Sequence, residues 1–521
     1  MRRPTTLVLA VAVSSLIGGC KGATDPGPGA PTGIIIASGN NQEAAAGTRL
    51  AQPIMVRVTD AKGHGVPNQG VEFDITSGYG GQLTAVSTVT NDQGVAGATW
   101  TLGWSIAEQQ RVRVTRINAS TGLPADSVIF RAIAHAGAAA RIVAYQGDGQ
   151  SGFELQRLSD SLVAVTTDAY GNVVPNVPVT FTVLSGGGSV SPTATTSGAT
   201  GRAAAAFTLG AFGQSQSVRA SAAGWSAVFT AYARRQPEGT SISLSGRPYA
   251  LAVSTHDVTY VGLVDGGALA RFDGSSTTRT GTVTVGSTPT ELAFNASGTK
   301  AFVTNQFSNS VGVIDVATNV QTETIPVTGN PFQVIVSPDA SRIYVTTNAD
   351  YVYAIDLATR TVVGALATGA TANGLAISAD GTKLYVSTRA GGSVMEVNTA
   401  TMTTLRTFTP GGTTQGVILS PDGSEMYVVN EQGTLYAYNL GTGALAWTLY
   451  LNGSGFGVAL SPDGTKLYVT VMSSGTVQVV NRATHAISRS YFVEGTPRRI
   501  GTTSDGTVIV ANEQGYVTWL H

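Results

Sequence analysis

Cysteine is all but missing. Cys20 is the only one in 521 residues, so no intramolecular disulfide can brace the fold, even in an oxidising compartment. Charge is scarce too: Asp, Glu, Lys and Arg make up 12% and the formal net charge is −1. That balance excludes a global field that would recruit nucleic acid or an anionic membrane, and no nucleic-acid partner is expected. The five histidines, His64, His135, His256, His485 and His521, are scattered with no H-x-x-x-H pair, so a zinc site of familiar spacing is absent. There is no G-x-S-x-G elbow, no Walker A loop and no EF-hand pattern. One G-x-G-x-x-G occurs at residues 147–152, but without the strand, turn and helix that a dinucleotide site needs. No cofactor, no metal ligand and no catalytic residue is expected.

Turn and strand residues are plentiful. The 64 glycines and 20 prolines stay below the roughly 25–30% of low-complexity chains. With Val, Thr, Ala and Tyr in short runs, they read as turn-rich β-structure. At about 100–200 residues per domain, the length suggests three to five units.

Arg2 and Arg3 precede an apolar stretch, residues 7–17, too short to span a bilayer but right for the core of a secretory signal. The stretch ends "LIGGC", which resembles the lipobox of bacterial lipoproteins: Ile17, Gly18, Gly19, then Cys20. The resemblance implies a cleaved signal at residues 1–20 and acylation of Cys20, with the membrane as a partner through that N-terminal lipid. Several acyl chains together anchor firmly where one does so only marginally. In that family Asp after the cysteine favours inner-membrane retention; Lys21 stands there instead, which implies the outer membrane, facing the cell surface or the periplasm. Residues 21–33, "KGATDPGPGAPTG", lack apolar periodicity and read as a flexible tether.

The next two hundred residues are duplicated. "VTDAKGHGVPNQGVEF" from Val58 aligns with "TTDAYGNVVPNVPVTF" from Thr166 at an offset of 108, and "TLG" at Thr101 recurs at Thr208. Alternating runs separated by Gly, Asn and Pro clusters predict two tandem β-sandwiches, at residues 34–135 and 136–235. The shared V-x-D-x-x-G-x-x-V-P core resembles bacterial immunoglobulin-like domains of invasin and intimin type, which implies a stalk. Asp60 and Asp168 lie beside Gly-containing turns and are expected to bond turn backbone N–H groups.

Residues 240–521 carry a second, shorter repeat. "SPDGTKLYV" at Ser461 echoes "SADGTKLYV" at Ser378, and the same serine position recurs at Ser254, Asn295, Ser337, Ser420 and Thr503, in steps of 41 or 42. Seven copies of four strands predict a seven-bladed β-propeller. In "SPDG", Pro presets φ, Asp caps the turn and Gly supplies φ > 0. The last copy stops after three strands, and residues 240–246 are expected to supply its fourth, protecting an open edge. "FVTN" at Phe302 and "YVTT" at Tyr344 resemble the YVTN family of propellers. The fold class read from the chain is therefore all-β: two Ig-like sandwiches, then a propeller closed by its own N-terminal strand.

Function is expected at the channel mouth, where the first strand of each copy opens. The candidates are Tyr249, Thr290, Glu291, Phe332, Gln333, Asn373, Gln415, Phe456, Arg498 and Arg499. Rings for stacking and amides for hydrogen bonding suit a small polar molecule, a glycan or a protein partner, and no carboxylate or histidine cluster suggests acid/base work. The reading is a monomeric, non-enzymatic envelope protein for adhesion or ligand binding. A propeller-borne enzyme, lactonase-like or dependent on quinone or metal, and a purely structural role are its alternatives.

Overall fold

Strands account for nearly all of the regular structure, some burying every second side chain and others, such as Val258–Leu263, buried on both faces. A computed structural model describes residues 27–521; Cys20, the rest of the signal segment and tether residues 21–26 lie outside the described residues. Among the described residues there are 45 strands, and the only helical element is one 3-10 turn, Met472–Ser474. The chain is all-β, and it divides into two compact units, Met1–Arg235 and Gln236–His521.

In the first unit, a sheet of Gly33–Ser38, Ile54–Thr59, Val95–Thr101 and Gln82–Thr84 shares one core with a sheet of Gln42–Ala45, Pro124–His135, Gln110–Ile117 and Val71–Ser77. Ile54–Thr59 alternates buried and half-buried, and its Val56 and Val58 meet Val112, Val114 and Phe130 of the facing sheet. A second pair of sheets follows, around Leu162, Phe181, Phe207 and Phe229. The matched aspartates do the same work in both. Asp60 accepts from the backbone N–H of Gly29, Lys62 and His64 at 2.8–2.9 Å, and Asp168 from Gly137, Tyr170 and Asn172 at 2.9–3.0 Å. These bonds, led by the one from Gly29, hold the Asp60 carboxyl down at about 2. Each aspartate thus ties the segment entering its sheets to a turn.

The second unit is seven four-stranded antiparallel sheets in chain order. Their innermost strands are Pro248–Val253, Pro289–Phe294, Pro331–Val336, Ala372–Ile377, Thr414–Leu419, Gly455–Leu460 and Pro497–Thr502. Each packs beside the next, and the seventh beside the first, so the arrangement is ring-closed and propeller-like. The seventh sheet takes its outer strand from upstream: Thr240–Ser243 pairs antiparallel with the strand Tyr516–Leu520, Thr240 opposite Trp519.

The repeated "YV" explains why the sheets stack. Neighbouring residues of a strand face opposite sides, so Tyr344 enters the core shared with the fourth sheet while Val345 enters the core shared with the second. Phe302 and Val303, and Tyr385 and Val386, divide in the same way. Seven such cores close the circle.

The recurrent turn is a side-chain device. Ser461 Oγ donates to Asp463 Oδ1 at 2.5 Å and accepts from Lys466 N at 2.9 Å, while Asp463 Oδ1 accepts from Thr465 N at 3.0 Å. The same set recurs around Asp339, Asp380 and Asp422. Gly464 closes the turn at φ 67°, whereas Ala340 takes that conformation at φ 54° in the third copy. Hydrogen bonds, the serine hydroxyl first, hold Asp339, Asp380, Asp422 and Asp463 at about 2, below the usual 3.8. A carboxyl lowered by folding contributes stability that is present above its unfolded pKa and lost as pH falls through its folded one. Stability should therefore hold down to about pH 4 and decline between about 4 and 2, with proton uptake on unfolding approaching one per turn. A thermal-unfolding series against pH checks this, and Asp463→Asn should flatten the slope.

Candidate functional site in the central channel

The inner strands bring the ten candidate residues together, and a backbone irregularity aims them. Pairing with the second strand slips at the same place in every sheet, for example between Pro289 and Glu291, Gly455 and Val458, and Pro497 and Ile500. A bulge releases consecutive side chains from strict alternation, so the Arg498 and Arg499 guanidinium carbons both lie over the Phe456 ring, at 4.7 and 4.9 Å. The third residue of the "YVTN" stretch holds the bulge. Gly457 N donates to Thr470 Oγ1 at 2.7 Å, and Thr470 Oγ1 donates to Arg498 O of the next sheet at 2.8 Å. Thr304 reaches Phe332 O at 2.9 Å, while Thr346 and Ser387 accept from Gln333 N and Gly374 N.

The candidates fill the mouth instead of ringing an open one. Thr290, Glu291, Gln333, Asn373, Gln415, Phe456 and Arg499 are buried; Tyr249, Phe332 and Arg498 are half-buried. The Tyr249 ring packs edge-on against both Phe332 (6.4 Å) and Phe456 (5.9 Å), and Arg498 lies 5.6 Å from its centroid. Burial pushes the Tyr249 phenol up, against the pull of Arg499 and Arg498. Thr290 bonds Phe332 O at 2.8 Å and does framework work only.

Two polar chains run through this plug. Arg499 Nη2 lies 2.8 Å from Glu291 Oε2, which also accepts from Gln333 Nε2 at 2.9 Å. On the other side Asn373 Nδ2 donates to Gln415 Oε1, and Gln415 Nε2 to Glu431 Oε1, with Arg389 3.6 Å from the same oxygen. Arg498 Nη2 donates to Glu513 Oε2 at 2.9 Å. Arg389, Glu431 and Glu513 escaped the sequence reading. Each directly follows the second strand of its sheet, and reading that offset across the seven copies would have found them.

Below the plug is a cavity of about 230 Å³ to which all seven inner strands contribute. Its lining mixes apolar side chains, Leu251, Leu292, Val334, Leu375, Val417 and Val458 among them, with the polar side chains of Glu291, Gln333 and Arg499. A second hollow shares Ile335, Leu375, Val417 and Ile418 with it and continues to the turns at Ala379 and Pro421. The channel is thus blocked by the aromatic plug at one end and leads toward the Ser-Pro-Asp-Gly turns at the other. Arg499 Nε, Arg499 Nη2 and Gln333 Oε1 are buried without a hydrogen-bond partner, so the contact with Glu291 is an ion pair with no N–H aligned on the oxygen. Among the described residues, no three His, Cys, Asp or Glu side chains gather as a metal site would need.

No family model matches the chain, and no curated protein matches it. Among solved structures it is similar to Kuenenia stuttgartiensis hydrazine synthase, at 20% identity and a TM-score of 0.49, over 55% of this chain and 99% of that one.

Proposed function

We propose that the protein is an exported, lipid-anchored component of the cell envelope that recognises a small ligand in the channel of a seven-bladed, YVTN-type propeller, without catalysing a reaction on it. In the chain order, two immunoglobulin-like modules separate the acylated Cys20 from the propeller and serve as its stalk. The observation that carries the binding reading is the cavity of about 230 Å³ to which all seven inner strands contribute and into which the side chains of Glu291, Gln333 and Arg499 bring polar groups among apolar ones. A concave hollow with a few convergent polar groups is the usual form of a small-ligand site. The non-enzymatic reading is supported by the carboxylates of the plug: Glu291 and Glu513 are both engaged by arginines, so neither is poised as a free base.

The test is a thermal-shift screen of the mature protein against small acids, sugars, amines and peptides. A ligand specific to the folded state raises Tm by mass action. At least one class should do so, and the shift should vanish in Ala293→Trp, which fills the channel from its wall. A complete screen without a stabilising ligand would remove this reading.

A further inference from the structure

A channel closed at one end is entered from the other, and the residues at the open end decide what passes. We infer that the ligand reaches the cavity from the turn end, through an apolar passage flanked by Ile335 and Ile418, and that this passage admits uncharged molecules over charged ones of the same size. The inference rests on the binding reading above and adds the route and the entry filter to it.

Burial along the inner strands gives the direction. The third and fourth residues of all seven strands are buried, Glu291 and Leu292 or Arg499 and Ile500 for example. The fifth is half-buried in every strand but that of Ala376, and the turns beyond are exposed at Ala379 and Pro421. Solvent therefore reaches the channel wall from the turns. At the strand starts it meets the plug, where Tyr249 packs on Phe332 and Phe456 while Arg498, bonded to Glu513, lies over Tyr249 and Phe456.

Side-chain volume gives the width. The fifth position is Ala252, Ala293, Ala376 and Ala459 in four strands and Gly501 in the last. Packing accounts for the glycine, since a Cβ on Gly501 would lie 2.7 Å from Val253. The large members are Ile335 and Ile418, in the sheets on either side of Ala376. Both line the cavity of about 230 Å³ and also the second hollow, of about 330 Å³, beyond it. With Leu375 and Val417 they are the residues common to the two, so they stand where one opens into the other.

The chemistry of the outer hollow gives the filter. Ile377, Leu419 and Pro421 continue the apolar wall toward the turns, and no Asp, Glu, Lys or Arg is among the residues that line it. An ion that passes sheds water with nothing to replace it, at far greater cost than a neutral polar molecule. The polar side chains of Glu291, Gln333 and Arg499 lie further in.

Thiol labelling tests route and filter without a known ligand. In the full chain carrying Cys20→Ser, an introduced cysteine is the only thiol. Val458→Cys sets it on the cavity wall, and Ala379→Cys on the exposed turn as the reference. The probes are three methanethiosulfonates: neutral propyl, cationic trimethylammonioethyl and anionic sulfonatoethyl. Relative to the neutral reagent, and normalised to Ala379→Cys, both charged reagents should react at least about tenfold more slowly at Val458→Cys, because each must desolvate in the passage. Ile418→Trp and Ala379→Trp should each slow the neutral reagent at Val458→Cys severalfold, and Ile335→Ala with Ile418→Ala should speed it.

Equal charged-to-neutral ratios at the two cysteines overturn the filter. So does a cationic reagent that passes as freely as the neutral one while the anionic one fails, since the selection would then belong to the turn aspartates. A neutral rate that neither tryptophan slows overturns the route. Should Ile418→Trp not fold, Ala379→Trp, at an exposed position, decides alone. A ligand found in the thermal-shift screen alongside contrary labelling leaves the binding reading standing without this route; labelling as expected with an empty screen removes the binding reading and leaves a selective channel.

Discussion

Trp519→Ala should be the most damaging single change in the propeller-like unit, costing about 3–5 kcal/mol and lowering its Tm by roughly 6–12 °C. Trp519 is fully buried where the seventh sheet meets the first, its ring 5.0 Å from Phe272 and edge-on to it. Its size there follows from an exchange between paired strands. In six sheets an aromatic on the second strand lies opposite a different residue on the third: Phe302 opposite Val313, Tyr344 opposite Ala354, Tyr427 opposite Ala437, Tyr468 opposite Val479, with Tyr260 opposite Arg271 and Tyr385 opposite Glu396. In the seventh sheet the smaller Ile509 takes the aromatic position, and its partner is Trp519. The volume has moved across the ladder, so truncating Trp519 leaves no large side chain on either strand. Calorimetric unfolding checks the loss. The pair Trp519→Ala with Ile509→Tyr restores the order of the other sheets and should recover at least half of it. Trp519→Phe should cost less than about 1.5 kcal/mol, since the indole N–H has no hydrogen-bond partner to lose. A Trp519→Ala protein that melts with the wild type would mean that the seam between first and last sheets does not limit stability.

That exchange marks where sequence reading stops. The all-β class, the small four-stranded sheets and the repeat were legible because each rests on local chemistry: Val/Thr/Tyr alternation, and a serine, aspartate and glycine that build one turn again and again. Ile509 stands where the other copies carry an aromatic, and its compensating partner is ten residues away on another strand, so only the pairing register connects them. The candidate site was half legible. Counting back from the serine of each turn named ten residues that do converge, yet expected an open mouth. Their burial comes from contacts such as Arg499 with Glu291, 208 positions apart in the chain, and Tyr249 with Phe456, 207 apart. No periodicity encodes those contacts; ring order and the bulge decide them. The apolar residues of the cavity lining also carried no signal, because Leu292 or Val417 reads in sequence as core whether it faces a neighbouring sheet or a hollow.

The same strand position that holds Trp519 holds Glu396 in the fourth sheet, and there the gap beside the aromatic is closed by charge. Glu396 is buried, with Lys383 Nζ 2.9 Å from one oxygen and Arg406 Nε 2.6 Å from the other. Arg406 reaches on to Leu440 O of the fifth sheet, so the carboxylate orients a strut between sheets. Removing one member of a fully buried pair costs about 3–5 kcal/mol. The side chains of Arg406 and Lys383 keep 30% and 43% of their exposure and can rehydrate, so Glu396→Ala should cost less, about 2 kcal/mol or roughly 4 °C in Tm. Glu396→Gln keeps the volume and should cost about half as much. Tyr385, the cross-strand partner, separates charge from packing. Its phenol is pushed up to about 12, first by burial and then by the Glu396 charge, with Arg406 pulling the other way. Removing that charge in Glu396→Gln should bring the phenol down, a shift that tyrosinate absorbance follows during alkaline titration. An unchanged titration with a lowered Tm would assign Glu396 to packing alone; an unchanged Tm would show that the fifth sheet docks without the strut.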